Sequence, residues 1–145
     1  MKKTVLLLTA FALTLCVYAQ PKSITEEAVP ASVKTEFSKT HPSAFEVSWK
    51  KYDSQYIVAY SHATNKSYAT YSDTGVLIES RDKITTFALP APAYEYVKQN
   101  YAEVPKEYFK ITDSVGLVTY AVKINGEEAI FDKKGTYLKT VAVVL

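Results

Sequence analysis

Cysteine occurs once in the 145-residue chain, at Cys16, and histidine twice, at His41 and His62. Neither histidine has another at i+2 or i+4 and no H-E-x-x-H is present, so the zinc-hydrolase pattern has no footing. Glycine is scarce, with four in all, and none builds a G-x-G-x-x-G or P-loop phosphate cradle. Ser43, Ser48 and Ser61 lack the strand–turn–helix setting of a nucleophile elbow. Asp53, Asp73, Asp113 and Asp132 all fall at expected turns, where aspartate hydrogen-bonds its own backbone. No catalytic group, cofactor or metal site is expected, and the chain is not read as an enzyme.

A cationic excess is missing too. Lysine and arginine number 17 against 15 acids, but Lys2 and Lys3 open an N-terminal segment that reads as a signal peptide. They precede an uncharged apolar run, Val5 to Val17, and Val17-Tyr18-Ala19 then offers small residues where a signal peptidase reads. The run is shorter than the roughly 20 apolar residues that span a bilayer. Cleavage is expected between Ala19 and Gln20. A lipoprotein alternative at Cys16 is disfavoured because Leu15 is not small. Without residues 1–19 the basic count falls to 15 and equals the acidic count, so no nucleic-acid partner is expected. The mature chain would have no cysteine and no transmembrane segment, and would be periplasmic or secreted. Its stability must come from a packed core rather than disulfides.

What is present is a correspondence sixty residues apart. Ile24-Thr25 recurs as Ile84-Thr85, Val29-Pro30-Ala31 as Leu89-Pro90-Ala91, Trp49-Lys50 as Phe109-Lys110, and Gly75 as Gly135. A shared register over a helix start, strands and a turn glycine points to one supersecondary unit used twice. The expected segments are 1–19 signal peptide, 20–28 polar lead-in, 29–82 first repeat and 83–145 second repeat.

Pro30 suits a helix start, and Val29, Val33 and Phe37 lie on one helical face until His41-Pro42 ends it. A second helix is expected over Pro90 to Asn100. After each helix the apolar period drops to two, giving strands near Phe45–Lys50, Tyr56–Ser61, Ser67–Ser72 and Val76–Ser80. The second set runs near Glu107–Thr112, Leu117–Ile124, Glu127–Phe131 and Tyr137–Val144. Asn125-Gly126 is a hairpin signal. The expected fold is α+β: a tandem repeat of helix plus four-stranded antiparallel meander. It forms one curved eight-stranded sheet with both helices on one face. Val33, Phe37, Phe45, Val47, Trp49, Val58, Val97, Phe109, Tyr120 and Phe131 are assigned to the core.

Twelve tyrosines are the remaining oddity. Strand propensity accounts for many, yet tyrosine is also favoured at binding surfaces. Alternation puts Tyr56, Tyr60 and Tyr71 with Trp49 on the helix side. A binding face is expected on the other side at Tyr52, Ile57, Tyr68, Thr70, Tyr108, Lys110 and Lys123. The partner would be another exported protein.

Leu/Val-Pro-Ala opening a helix, Trp49-Lys50, the Tyr56-x-Val58-x-Tyr60 strand and the Asp-x-Gly turn at Asp73-Thr74-Gly75 resemble the PepSY-like proteins. That family is described as similar to the β-lactamase inhibitory protein. The resemblance implies small exported proteins with two helix-plus-four-strand units and an inhibitory or protein-binding role. The inhibitory protein carries disulfides and the mature chain here would not, which counts against β-lactamase as the target. The alternative is a structural or envelope-stress accessory protein without a tight partner.

Overall fold

The computed structural model describes residues 20–143; the expected signal segment, 1–19, lies outside the described residues. Helix α1 spans Ala31–Thr40 and α2 spans Ala91–Asn100. Pro30 and Pro90 sit at the two helix entrances in extended conformation, where a missing N–H costs nothing. At the end of α1 the His41 N–H donates to the Phe37 carbonyl at 2.8 Å, and Pro42 prevents another turn.

The strands are β1 (Lys22–Ile24), β2 (Phe45–Tyr52), β3 (Gln55–His62), β4 (Asn65–Ser72), β5 (Leu77–Ile84), β6 (Glu107–Asp113), β7 (Val118–Ile124), β8 (Glu127–Asp132) and β9 (Tyr137–Ala142). Each pairs antiparallel with the next, so spatial order equals chain order in a single nine-stranded sheet. This corrects the expected tandem repeat of eight strands. The ninth strand, β1, comes from the segment read as a lead-in: Ile24 is held opposite Trp49 and packs into the core beside it. Nor does the sheet break between halves, since β5 and β6 pair from Glu79–Asp113 to Ile84–Tyr108.

Each helix buries its own apolar stripe. Val29, Val33 and Phe37 pack on Trp49, Tyr56, Val58, Tyr60, Ala69 and Tyr71. Leu89, Ala93 and Val97 pack on Val122, Ile124, Ala129 and Phe131. Burying such side chains is worth about 1.5–3 kcal/mol each, which offsets the ordering of two ten-residue helices that could not persist alone. The turns before β5 and β9 seat against the helix starts. A Cβ on Gly75 would lie 2.9 Å from the Ser32 backbone, and one on Gly135 would lie 2.8 Å from the Ala93 nitrogen. Both glycines hold φ at +88°, so these positions demand glycine on two counts.

Two expected core positions fall outside the core. Phe45 and Val47 are exposed, at 47% and 39%. A bulge between Phe45 and Ser48, with Glu46 at φ 52°, inserts an extra residue and breaks the alternation that the period-two pattern assumed. Phe109 is buried, but on the sheet face opposite the helices, and Tyr120 is only half-buried.

Candidate functional site

Pairing registers define the helix-free face row by row. One row runs Ala59, Tyr68, Arg81, Ile111, Thr119 and Asp132, and the next Lys83, Phe109, Ala121, Ile130 and Lys139. Towards one end come Glu107, Lys123, Glu128 and Val141; towards the other, Ile57, Thr70, Glu79 and Asp113.

Arg81 on β5 meets Glu128 on β8, Nη1 donating to both carboxylate oxygens at 3.1 and 2.8 Å. Three strand intervals cover about 14 Å in a flat sheet. The contact closes because the sheet curls towards this side, so the helix-free face is the inside of the curve. Crossing of the same kind brings the Tyr68 ring on β4 to 5.9 Å from Phe109 on β6, edge to face. Phe109, Ile111, Ala121 and Ile130 are buried against one another with no helix above them, and Tyr68 and Val141 close over them.

The charges are organised in two groups. Arg81 Nε also donates to Glu79 at 2.7 Å, and Glu128 is almost fully buried. Burial alone would lower the arginine's pKa, but Glu128 and Glu79 together outweigh it and raise it. Glu107 accepts from Lys83 at 2.9 Å and Lys123 at 3.2 Å. The Lys83 hydrogen bond, aided by Lys123, holds the Glu107 carboxyl below the usual range despite partial burial. At the rim the Lys66 ammonium stands 5.8 Å from the Tyr68 ring centre, within cation–π reach.

The expected binding residues divide. Tyr52, Ile57, Tyr68, Thr70 and Lys123 lie on the helix-free face, where Ile57 and Thr70 are direct cross-strand partners. Ile57 and Thr70 are buried, at 4% and 8%, forming floor rather than open surface; Tyr52, Tyr68 and Lys123 are half-buried. Tyr108 and Lys110 are on the other side. Tyr108 packs against the α2 core, and Lys110, opposite Asp82 and Tyr120, is exposed there. The cause is the β2 bulge. Trp49 faces Val58 and then Ala69, as Tyr108 faces Val122 and then Ala129. Trp49 therefore corresponds to Tyr108, a step of 59 (49 to 108), not to Phe109, and every β6 side chain changes face. Arg81 and Glu128 were missed, and Phe109 was assigned to the core on the wrong face; a lone arginine in a strand half-filled with charges gave no sign of a partner 47 residues away.

The helix side carries its own polar contacts. Ser67 Oγ donates to Asp82 at 2.9 Å, while His41 Nδ1 is 2.8 Å from the Thr40 hydroxyl. The His41 ring stacks on Phe37 and lies 4.6 Å from Tyr60, whose pKa burial and then Asp82 push up to about 12. Among the described residues no three His, Cys, Asp or Glu side chains converge as a metal site, and no helix is long and apolar enough to cross a membrane.

No family model matches the chain, and no curated protein matches it. Solved structures do. A DUF2874 family protein from Bacteroides ovatus superposes with a TM-score of 0.65 at 18% identity, over 79% of this chain and 88% of its own. A Bacteroides eggerthii protein, whose name proposes a periplasmic location, gives 0.66 at 14% identity over 80% and 90%. A BLIP-like protein from Bacteroides fragilis gives 0.59 at 11% identity over 80% and 88%. At these identities the shared property is the fold: a curved, open, BLIP-like antiparallel sheet with two helices.

Proposed function

We propose that the chain is an exported, non-enzymatic binding module that holds another exported protein against the concave, helix-free face. One observation carries the reading. The inside of the curve has a buried apolar floor of Ile57, Phe109, Ile111 and Ile130, the half-buried aromatic Tyr68, and a rim with exposed Lys66 and Lys139. An apolar, aromatic centre inside a polar rim is the composition of protein interfaces. The BLIP-like neighbour supports a protein partner, and the neighbour named as periplasmic supports export. Kinship with PepSY-like proteins and cleavage after Ala19 belong to the same reading, and an intact mass of the mature protein checks the latter. Tyr108 and Lys110 are dropped from the face.

The test places a photo-crosslinking residue at Lys66 and, as a control on the helix side, at Lys110. One recurrent envelope protein is expected at position 66 and not at 110. Lys66→Glu with Lys139→Glu, both exposed and so without consequence for folding, should abolish the capture seen with a crosslinker at Tyr52. Equal capture at both positions, or none at 66, refutes the reading.

A further inference from the structure

The fold makes one crevice twice, between a helix, the loop that leaves it and the strand that follows. Lys34, Phe37, His41, Ala44 and Trp49 line the first; their counterparts Tyr94, Val97, Tyr101, Val104 and Tyr108 line the second. The first has a volume of about 320 Å³ and the second about 210 Å³. Small-molecule sites begin at roughly 300 Å³, so only the first is large enough. Two features are confined to it. Trp49, 5% exposed, forms part of its wall, and Trp49 Nε1 is the one buried side-chain donor without a partner among the described residues. A buried N–H left unmade is costly, and native structures keep few of them. The second feature is the β2 bulge. Glu46, at φ 52°, is held left-handed inside a strand, whereas Asp53, Ala63 and Asn125 take that conformation in turns. The bulge leaves Val47, 39% exposed, on the crevice wall, while β6 pairs with β7 in unbroken register. Re-aiming a side chain beside a site is a common use of such bulges.

The charges of this crevice narrow the ligand. Its lining holds one cation, the half-buried Lys34, and one carboxylate, the exposed Glu26, and neither is in an ion pair among the described residues. Burial lowers the His41 pKa from 6.5, so the ring is neutral at neutral pH. The lining is therefore neutral overall but carries one charge of each sign, with Phe37, Ala44 and Val47 as apolar surface. We propose that this crevice binds a small zwitterion with an apolar body, of the class of free aliphatic α-amino acids. The carboxylate of the ligand accepts from the Lys34 ammonium and the Trp49 indole N–H, its ammonium donates to Glu26, and its side chain lies on Val47 and Ala44. Trp49 Nε1 is closed to solvent as the crevice stands, so the ligand reaches it by a small shift of the wall. The crevice is on the helix side, and the proposal is independent of any protein held on the concave face.

Trp49 is the only tryptophan in the chain, so its indole N–H gives one isolated nuclear magnetic resonance signal in the labelled protein. Titration with leucine should move that signal saturably. Isocaproate, which is leucine without its amine, and isoamylamine, which is leucine without its carboxylate, should each bind at least about tenfold more weakly, the order expected for losing one charge-assisted hydrogen bond. Lys34→Gln and Glu26→Gln, both outside the buried cores, should keep the melting curve and each weaken leucine by about tenfold. An indole signal that leucine does not move overturns the proposal and leaves water as the partner of Nε1. Isocaproate or isoamylamine binding as tightly as leucine overturns the zwitterion. Leucine binding that neither substitution weakens places the ligand elsewhere and overturns the site.

Discussion

The two halves of the sheet are packed by different means on their helix sides and by a common means on the inside of the curve. Around α1 the filling is aromatic: Phe37 lies edge-on to Trp49, Tyr60 and Tyr71 at 5.4, 5.3 and 6.5 Å. Around α2 it is small and aliphatic, with Ala93, Val97, Val122 and Ala129 beneath Phe131 and a Tyr96–Tyr137 stack at 4.7 Å on the margin. The outer surfaces differ as well: where the first half presents Glu27 and Lys34, the second presents Phe87, fully exposed, and Tyr94. Between the helices the β5–β6 junction is polar, with exposed Asp82 opposite exposed Lys110. Beyond the β5–β6 ladder, side chains on the inside join the halves, through Tyr68 on Phe109 and Arg81 on Glu128. Each half thus has a private core, and the seam between them is held from beneath.

The largest expected effect tests the private cores. Trp49→Ala should cost about 3–5 kcal/mol in a urea melt. The Trp49 Nε1 has no partner among the described residues, so the loss is of packing and not of a hydrogen bond. Tyr108→Ala, at the corresponding but half-buried position, should cost less than half as much. Equal losses would erase the distinction between the halves.

The seam comes next. Glu128→Ala strips the half-buried Arg81 of its main partner and should cost about 3 kcal/mol. Arg81→Met with Glu128→Leu should recover most of that loss, because an apolar pair of similar volume relieves the desolvation of both charges. Amide exchange should show β5 and β6 loosening in the single variant while β3 stays protected; simultaneous loss across all strands would contradict two separate cores.

The smallest effect concerns His41, which only the first half possesses; its counterpart is Tyr101. Burial lowers the His41 pKa from 6.5, against weaker upward contributions from the Phe37 backbone and Asp82. A lowered value means the unfolded chain binds the extra proton more readily. The contribution is therefore fully present above about pH 6.5 and lost as pH falls through the lower folded value. His41→Gln should flatten the stability profile in that window and leave it unchanged at pH 8. A profile that the substitution does not alter would place the titration elsewhere.

Much of this arrangement was legible in the residues. Proline entrances, the Val33–Phe37 and Ala93–Val97 stripes, and the Asn125-Gly126 hairpin, with φ of 54° and 80°, are local features governed by local chemistry. β1 was not: with residues 20–28 read as a polar lead-in and the fourth strand ended at Ser80, the recurrence of Ile24-Thr25 as Ile84-Thr85 marked no strand, and only the sheet sets Ile24 against Trp49 as it sets Ile84 against Tyr108. The faces of β6 were not. A single bulged residue at Glu46 shifts the correspondence from 60 to 59, and alternation converts that one step into a change of side for Tyr108, Phe109 and Lys110. The Arg81–Glu128 pair was equally hidden, since curvature, which no periodicity encodes, brings it together.

That pair has a mechanical consequence. A bent strip with a tie across its hollow behaves as a strung bow: the length of the tie sets the span between the tips. Here the tie is one guanidinium on β5 gripping one carboxylate on β8. Cutting it would leave both private cores standing while the bow relaxes, so the curvature of the helix-free face depends on two side chains as well as on the backbone.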